Sequence, residues 1–221
     1  MKLWTYAIAA LALFSVGSAQ ANTSLTGGNR FTGGLLLQDT GYDAENGDDS
    51  FDVEGTILVA GYKASVNPRF SIGGGFGLMV DGEAGSDVQA DDGQGFRLFV
   101  DAAFEAHRFN NNKIIVTGTV SHDRFGFEFQ DQDVDFTVTE LKGGAVFMHS
   151  VDGFDLYGGL EFVLVSDGEV EVFNGDFDAD RDDRLNLRLG AAYNLSNYVA
   201  LKADLLILGE QTLLLAADFA L

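Results

Sequence analysis

The chain has 221 residues, a formal net charge of -21, a single proline and no cysteine. The missing thiols exclude a disulfide framework and thiolate metal sites, and so negative a surface is a poor match for nucleic acid or anionic headgroups. No linker-like change of composition divides the chain, so its length fits one folded domain.

The first 21 residues read as a targeting segment. Lys2 supplies the positive start, Ala7 to Val16 the apolar run, and Ala19-Gln20-Ala21 an A-x-A cleavage site. That run is shorter than the roughly 20 residues of a spanning helix. Export of a mature domain over residues 22–221 is therefore expected.

Period-two alternation dominates the rest, and ten strands are expected, with eight as the alternative count. The first lies around Arg30 to Gln38. In the second, Phe51, Val53, Gly55, Ile57, Val59 and Gly61 oppose Asp52, Glu54 and Thr56. The third sets Phe70, Ile72, Phe76, Leu78 and Val80 against Arg69, Ser71 and Gly73. The fourth sets Phe96, Leu98, Val100, Ala102, Phe104 and Ala106 against Arg97, Asp101, Glu105 and His107. In the fifth, Lys113 to Phe129, the apolar phase moves from even positions (Ile114, Val116, Val120) to odd ones (Phe125, Phe127, Phe129). The sixth, Val134 to His149, slips between Val138 and Leu141, which implies paired bulges or a hairpin projecting beyond a bilayer. The seventh opposes Phe154, Leu156, Leu160, Phe162 and Leu164 to Asp155, Tyr157 and Glu161. The eighth opposes Leu185, Leu187, Leu189, Ala191 and Tyr193 to Arg184, Asn186 and Arg188. Tyr198 to Leu208 and Thr212 to Leu221 complete the set.

One uncharged face and one polar face on nearly every strand describe a closed antiparallel sheet with lipid outside and a polar lumen. Four gaps are tight-turn sequences: Ser65 to Pro68, Asn110 to Asn112, Ser150 to Gly153 and Asn194 to Asn197. Four others, Asp39 to Asp52, Asp81 to Gly95, Glu128 to Asp135 and Asp167 to Asp183, hold 23 of the 34 acidic residues and one base, Arg181. They are expected to be long acidic loops facing the cell exterior. Phe70, Phe154, Tyr193 and Tyr198 at the turn side, with Phe51 and Phe96 at the loop side, suggest interfacial aromatic girdles.

On this pattern the mature sequence resembles the small outer-membrane β-barrel proteins of Gram-negative bacteria, in the broad OmpA-type, porin-like sense. The resemblance implies an up-and-down barrel in the outer membrane, contact with lipid and lipopolysaccharide, and assembly by the barrel-assembly machinery. Leu213, Leu215, Ala217 and Phe219 match the alternating terminal strand of that class, although the chain ends in Leu221 rather than an aromatic.

The expected lumen holds Arg30, Arg69, Arg97, Lys113, Lys142, Arg184, Arg188 and Lys202, against Glu54, Asp101, Glu105, Glu140, Asp155, Glu161 and Asp204. Unpaired buried charges are costly, so these groups are expected to pair across a narrow interior; the competing reading is an ion-conducting path. Inward glycines, including Gly34, Gly73, Gly75, Gly77 and Gly144, are expected to leave some room.

No cofactor is expected. Asp176, Asp178, Asp180, Asp182 and Asp183 could bind divalent cations weakly. However, aligning Asp178 with the first position of an EF-hand loop puts Asp183 where its glycine belongs and Leu189 where its glutamate belongs. An omptin-like protease would need a His/Asp couple such as His122-Asp123 opposite Asp91-Asp92, and a lipid-modifying enzyme would need its own base. Ser121-His122 and His149-Ser150 are strand neighbours that point to opposite faces, and His107 reads as a lumen hydrogen-bonding group. The expectation is a structural or porin-like surface protein with no chemical step; the alternatives are a narrow solute channel and a surface enzyme.

Overall fold

The computed structural model describes residues 28–44, 50–85, 89–129, 132–172 and 175–221, so the targeting segment lies outside the described residues. The strands are β1 (Arg30–Ala44), β2 (Ser50–Asn67), β3 (Phe70–Gly85), β4 (Gln89–Phe109), β5 (Asn112–Phe129), β6 (Gln132–Val151), β7 (Phe154–Val172), β8 (Gly175–Arg181), β9 (Leu185–Asn194), β10 (Val199–Leu208) and β11 (Glu210–Ala220). All pair antiparallel. β11 returns to β1, from Arg30↔Ala220 to Thr40↔Glu210, and closes an up-and-down barrel.

Ten strands form the wall, because β9 takes the place beside β7. The remaining strand, β8, sits higher. It pairs with the top of β7 (Gly168↔Ala179 to Val172↔Gly175) and with the top of β1 (Tyr42↔Arg181 to Ala44↔Ala179). Above the ten-stranded barrel, β1 to β8 therefore close a second ring of eight strands. β10 and β11 stop at the Leu208–Glu210 turn below it, and their 10 and 11 residues suit one hydrocarbon crossing.

The tight turns cluster at the lower end. Asp152 (φ 46°) and Gly153 (φ 84°) both take positive φ between β6 and β7, the backbone of a two-residue hairpin of the twist-matching kind. At the upper end most of the expected acidic loops are extensions of strands. β1 runs to Ala44, β3 to Gly85, β5 to Phe129 and β7 to Val172, and only residues 45–49, 86–88, 130–131 and 173–174 of these gaps lie outside the described residues.

The outer wall of the ten-stranded part is an apolar belt. Leu58, Phe76, Leu98, Val120, Leu160 and Leu189 are 41–51% exposed, and their outward neighbours are exposed too. A continuous exposed belt of this composition fits hydrocarbon rather than water. Phe154 stacks on Tyr193 at 4.4 Å near the lower edge, where Tyr62 and Tyr198 are also exposed.

One expectation about phase is corrected, and another is resolved between its alternatives. β2 is inverted: Val53 and Ile57 are fully buried inside while Leu58 and Tyr62 face outward. Phe51 belongs to the interior too, packed against Tyr42 and Phe136 rather than in a girdle. In β5 and β6 the change of apolar phase follows the second of the two expected explanations, a hairpin projecting beyond the apolar belt, and not paired bulges between them. Their register is unbroken from Asn112↔His149 to Phe129↔Gln132. Apolar residues change face along these strands: they point outward in the belt of the lower wall and inward in the ring, the arrangement expected if hydrocarbon surrounds the first and water the second.

Candidate functional site in the barrel lumen

Three layers fill the interior. The upper one, inside the eight-stranded ring, is an apolar core of Leu36, Tyr42, Val53, Ile57, Met79, Ala90, Phe125, Phe127, Phe136, Val138, Val170 and Ala179. An eight-stranded barrel is just wide enough to be filled by its own side chains, and these fill it. Fully burying side chains of this size contributes about 1.5 to 3 kcal/mol each.

The middle layer is ionic. Arg97 makes a two-pronged contact with Asp123 (2.7 and 2.5 Å) and donates to Gln38 Oε1 at 2.7 Å. Arg188 is clamped by Asp204, with Glu161 at 3.4 Å. Lys202 lies 3.6 Å from Asp204, and Lys63 pairs with Asp101. Beneath the apolar cap, Lys142 bridges Glu140 (3.1 Å) and Glu210 (3.0 Å), which also hold Arg181. The Arg181 guanidinium lies 5.3 Å from the centre of the Tyr42 ring, and the Asn186 side chain accepts the Glu210 backbone N–H at 3.0 Å. A cavity of about 270 Å³ remains, lined by Arg97, Lys142, Arg188 and Glu210 together with Thr117, Thr119, Ser121 and Thr212.

In the lower layer Arg30 lies 3.6 Å from Asp218, which accepts from Thr32 Oγ1 at 2.6 Å. Asp155 accepts from Ser150 Oγ, Lys113 is half-buried, and Glu105 holds Arg108 at 2.5 Å. Ala103, Ile115, Val146, Met148 and Tyr157 pack beside them.

Three residues expected in the lumen lie elsewhere. Glu54 is exposed on the outside of the ring because β2 has the opposite phase. Arg69 is exposed at the lower turn, its backbone N–H donating to Asn67 Oδ1. Arg184 precedes β9 and meets Asp180 at 3.5 Å on the outer surface, both about half exposed. His107 is also outside: the irregularity between Glu105 and His107 turns it outward, beside Phe109. Five lumen ions were not anticipated: Lys63, Asp123, Arg181, Glu210 and Asp218. Carrying the phase of β5 upward from Lys113 places Asp123 inward, and a lone arginine in an acidic gap was the visible signal for Arg181.

The inward glycines make little room. A Cβ on Gly190 would fall 2.2 Å from the Tyr157 ring, and one on Gly75 would meet Ala60 O at 2.2 Å and Phe99 at 2.7 Å. Large side chains lie across these positions and occupy the space.

The candidate catalytic groups do not assemble. His122 faces outward, with Nδ1 3.0 Å from Thr139 Oγ1, whereas Asp123 points inward to Arg97. His149 lies near the lower turn beside Asn112. Asp176, Asp178 and Asp180 are spread along the outer face of β8, opposite Glu171, Glu169 and Asp43. Among the described residues no group of three or more such side chains could hold a metal ion. Like charges dominate this surface. Partial burial, then the neighbouring charges of Asp39, Glu83 and Asp52, raises the Glu54 carboxyl.

No family model matches the chain, and no curated protein does. Among solved structures it is similar to the outer membrane protease OmpT from Escherichia coli, with a TM-score of 0.58 at 10% identity over 94% of this chain and 99% of that one. It is also similar to the transport unit of the autotransporter AIDA-I from Escherichia coli, with a TM-score of 0.54 at 9% identity over 98% and 97% of the two chains. At such identity the likeness is one of fold alone. The fold is that of the outer-membrane β-barrels.

Proposed function

We propose that the protein is an integral outer-membrane barrel, closed to ions in its resting form, that serves as a structural surface protein. The observation that carries this reading is the apolar core capping the lumen inside the eight-stranded ring. An ion entering from that end would have to displace packed aromatic and aliphatic side chains, and then paired charges. The apolar belt supports residence in lipid. The acidic upper ring suits the cell exterior, where divalent cations could bridge it to lipopolysaccharide phosphates. The protein performs no chemical step: His122 and Asp123 stand on opposite sides of the wall. A second reading, a narrow channel, draws on the cavity of about 270 Å³ below the cap, which Arg97, Lys142, Arg188 and Glu210 help to line.

Planar-bilayer recording of the purified, refolded protein tests the choice. Current indistinguishable from the bare membrane is expected; a large, steady conductance would replace the structural reading with the channel. Cell fractionation should recover the protein in the outer membrane, and a tag at Gly175 should be reachable on intact cells while one at Asn111 is not.

A further inference from the structure

We propose that β8 is a hinged gate over the lumen, carried on β7 and latched shut by Arg181. The proposal rests on the closed-barrel reading and adds to it a place where the closure opens.

The ring is least secure where β8 meets β1. Among the described residues three pairs join them, from Tyr42↔Arg181 to Ala44↔Ala179, with the Asp182 N–H donating to Gly41 O at 3.3 Å, whereas β1 pairs with β2 from Arg30↔Lys63 to Asp43↔Ser50. On the outside of that seam acidic groups crowd together, offset in part by Arg184, which lies 3.5 Å from Asp180. Asp43 stands directly opposite Asp180, and like charges in such cross-strand positions are destabilising. On the inside the contacts are attractive. Arg181 is 3% exposed and reaches through the junction to Glu140 and Glu210, the latter on the β11 side of the barrel. Ala179 is buried in the apolar core and Phe177 packs against it.

Arg181 thus ties β8 to two other strands, β6 and β11, across the point where ten strands give way to eight. A register irregularity lies below β8 as well. β7 leaves β9 after Phe162 and takes up β8 at Gly168, and in between the register with β6 shifts, so that both Leu164 and Val165 face outward. β7 stays paired with β6 from Asp135↔Glu171 to Leu141↔Val165, so opening turns β8 about its junction with β7: β8 parts from β1, Phe177 and Ala179 withdraw from the cap, and the cavity that Arg97, Lys142, Arg188 and Glu210 help to line joins the exterior. Small hydrated ions are the species such an opening admits.

The absence of cysteine makes the gate testable by crosslinking. In planar bilayers Arg181→Ala should show discrete openings that the parent lacks. Adding Asp43→Cys and Asp180→Cys should abolish those openings when the pair is oxidised and restore them on reduction. A folded Arg181→Ala barrel as silent as its parent overturns the gate while leaving the closed-barrel reading intact, and so do openings indifferent to the crosslink. A steady current from the parent overturns the closed-barrel reading itself. An independent measurement needs no change at Arg181: the rate at which a membrane-impermeant maleimide labels Ala179→Cys in the folded barrel. Asp43→Lys, which turns repulsion across the seam into attraction, should slow that labelling several-fold, and an unchanged rate overturns the gate.

Discussion

Arg188 illustrates how the lumen charges act. Its guanidinium is shared by Asp204 and Glu161, all three largely buried. Desolvating such groups offsets most of their attraction, so the cluster adds little net stability while intact, but removing one member strands the others. Arg188→Ala should therefore cost about 3 to 5 kcal/mol, read from urea unfolding in lipid vesicles. Replacing the whole cluster, Arg188→Met with Asp204→Leu, Glu161→Leu and Lys202→Met, should recover most of that loss; a single substitution without effect would mean the cluster is hydrated rather than buried. On the other side of the wall, Leu189→Arg puts a charge on the belt. Near the bilayer midplane it should cost about 2 to 4 kcal/mol by the same measurement, whereas a negligible cost would place Leu189 outside the hydrocarbon.

At the level of elements, alternation reveals that a strand has two faces but not which one meets which solvent. β3, β4, β7 and β9 were legible because their charged face and their lumen face coincide within the belt. β2 was not: Asp52 and Glu54 stand in water above the belt, and their charge was read as a lumen signature for the whole strand. β8 was missed because its alternation of Asp176, Asp178 and Asp180 with Phe177, Ala179 and Arg181 resembles a solvated loop when its partners are unknown. The lumen contacts were harder still to foresee, since the Lys142–Glu210 ion pair and the Arg97–Gln38 hydrogen bond join residues 68 and 59 positions apart. The β1–β8 seam also carries a pH response. Partial burial, then the charges of Asp43, Asp183 and Asp52, raises the Asp182 carboxyl above its ordinary value of 3.8. The folded seam holds that proton more tightly than the unfolded chain does. Its contribution to stability is therefore fully present below 3.8 and is lost as pH rises through the elevated folded value. Hydrogen exchange at Ala179 and Arg181, corrected for intrinsic rate, should slow on acidification towards that window; faster exchange in acid would contradict the sign.

Taken as a whole, the molecule keeps its apolar residues on the outside below and on the inside above. One continuous sheet therefore depends on two different solvents. Urea weakens burial by solvating apolar and peptide groups, and it reaches the ring directly, while the wall beneath is sheltered by hydrocarbon that urea does not replace. Unfolding should then occur in two stages. At intermediate urea, circular dichroism should lose the share of strand signal belonging to the ring while the folded barrel still migrates anomalously on an unheated gel. A single coincident transition would mean that the two parts melt as one. If the stages separate, the durability of the embedded barrel guarantees nothing about what it presents at the surface: a cell could retain every copy in its membrane and still lose the outer ring to heat or denaturant.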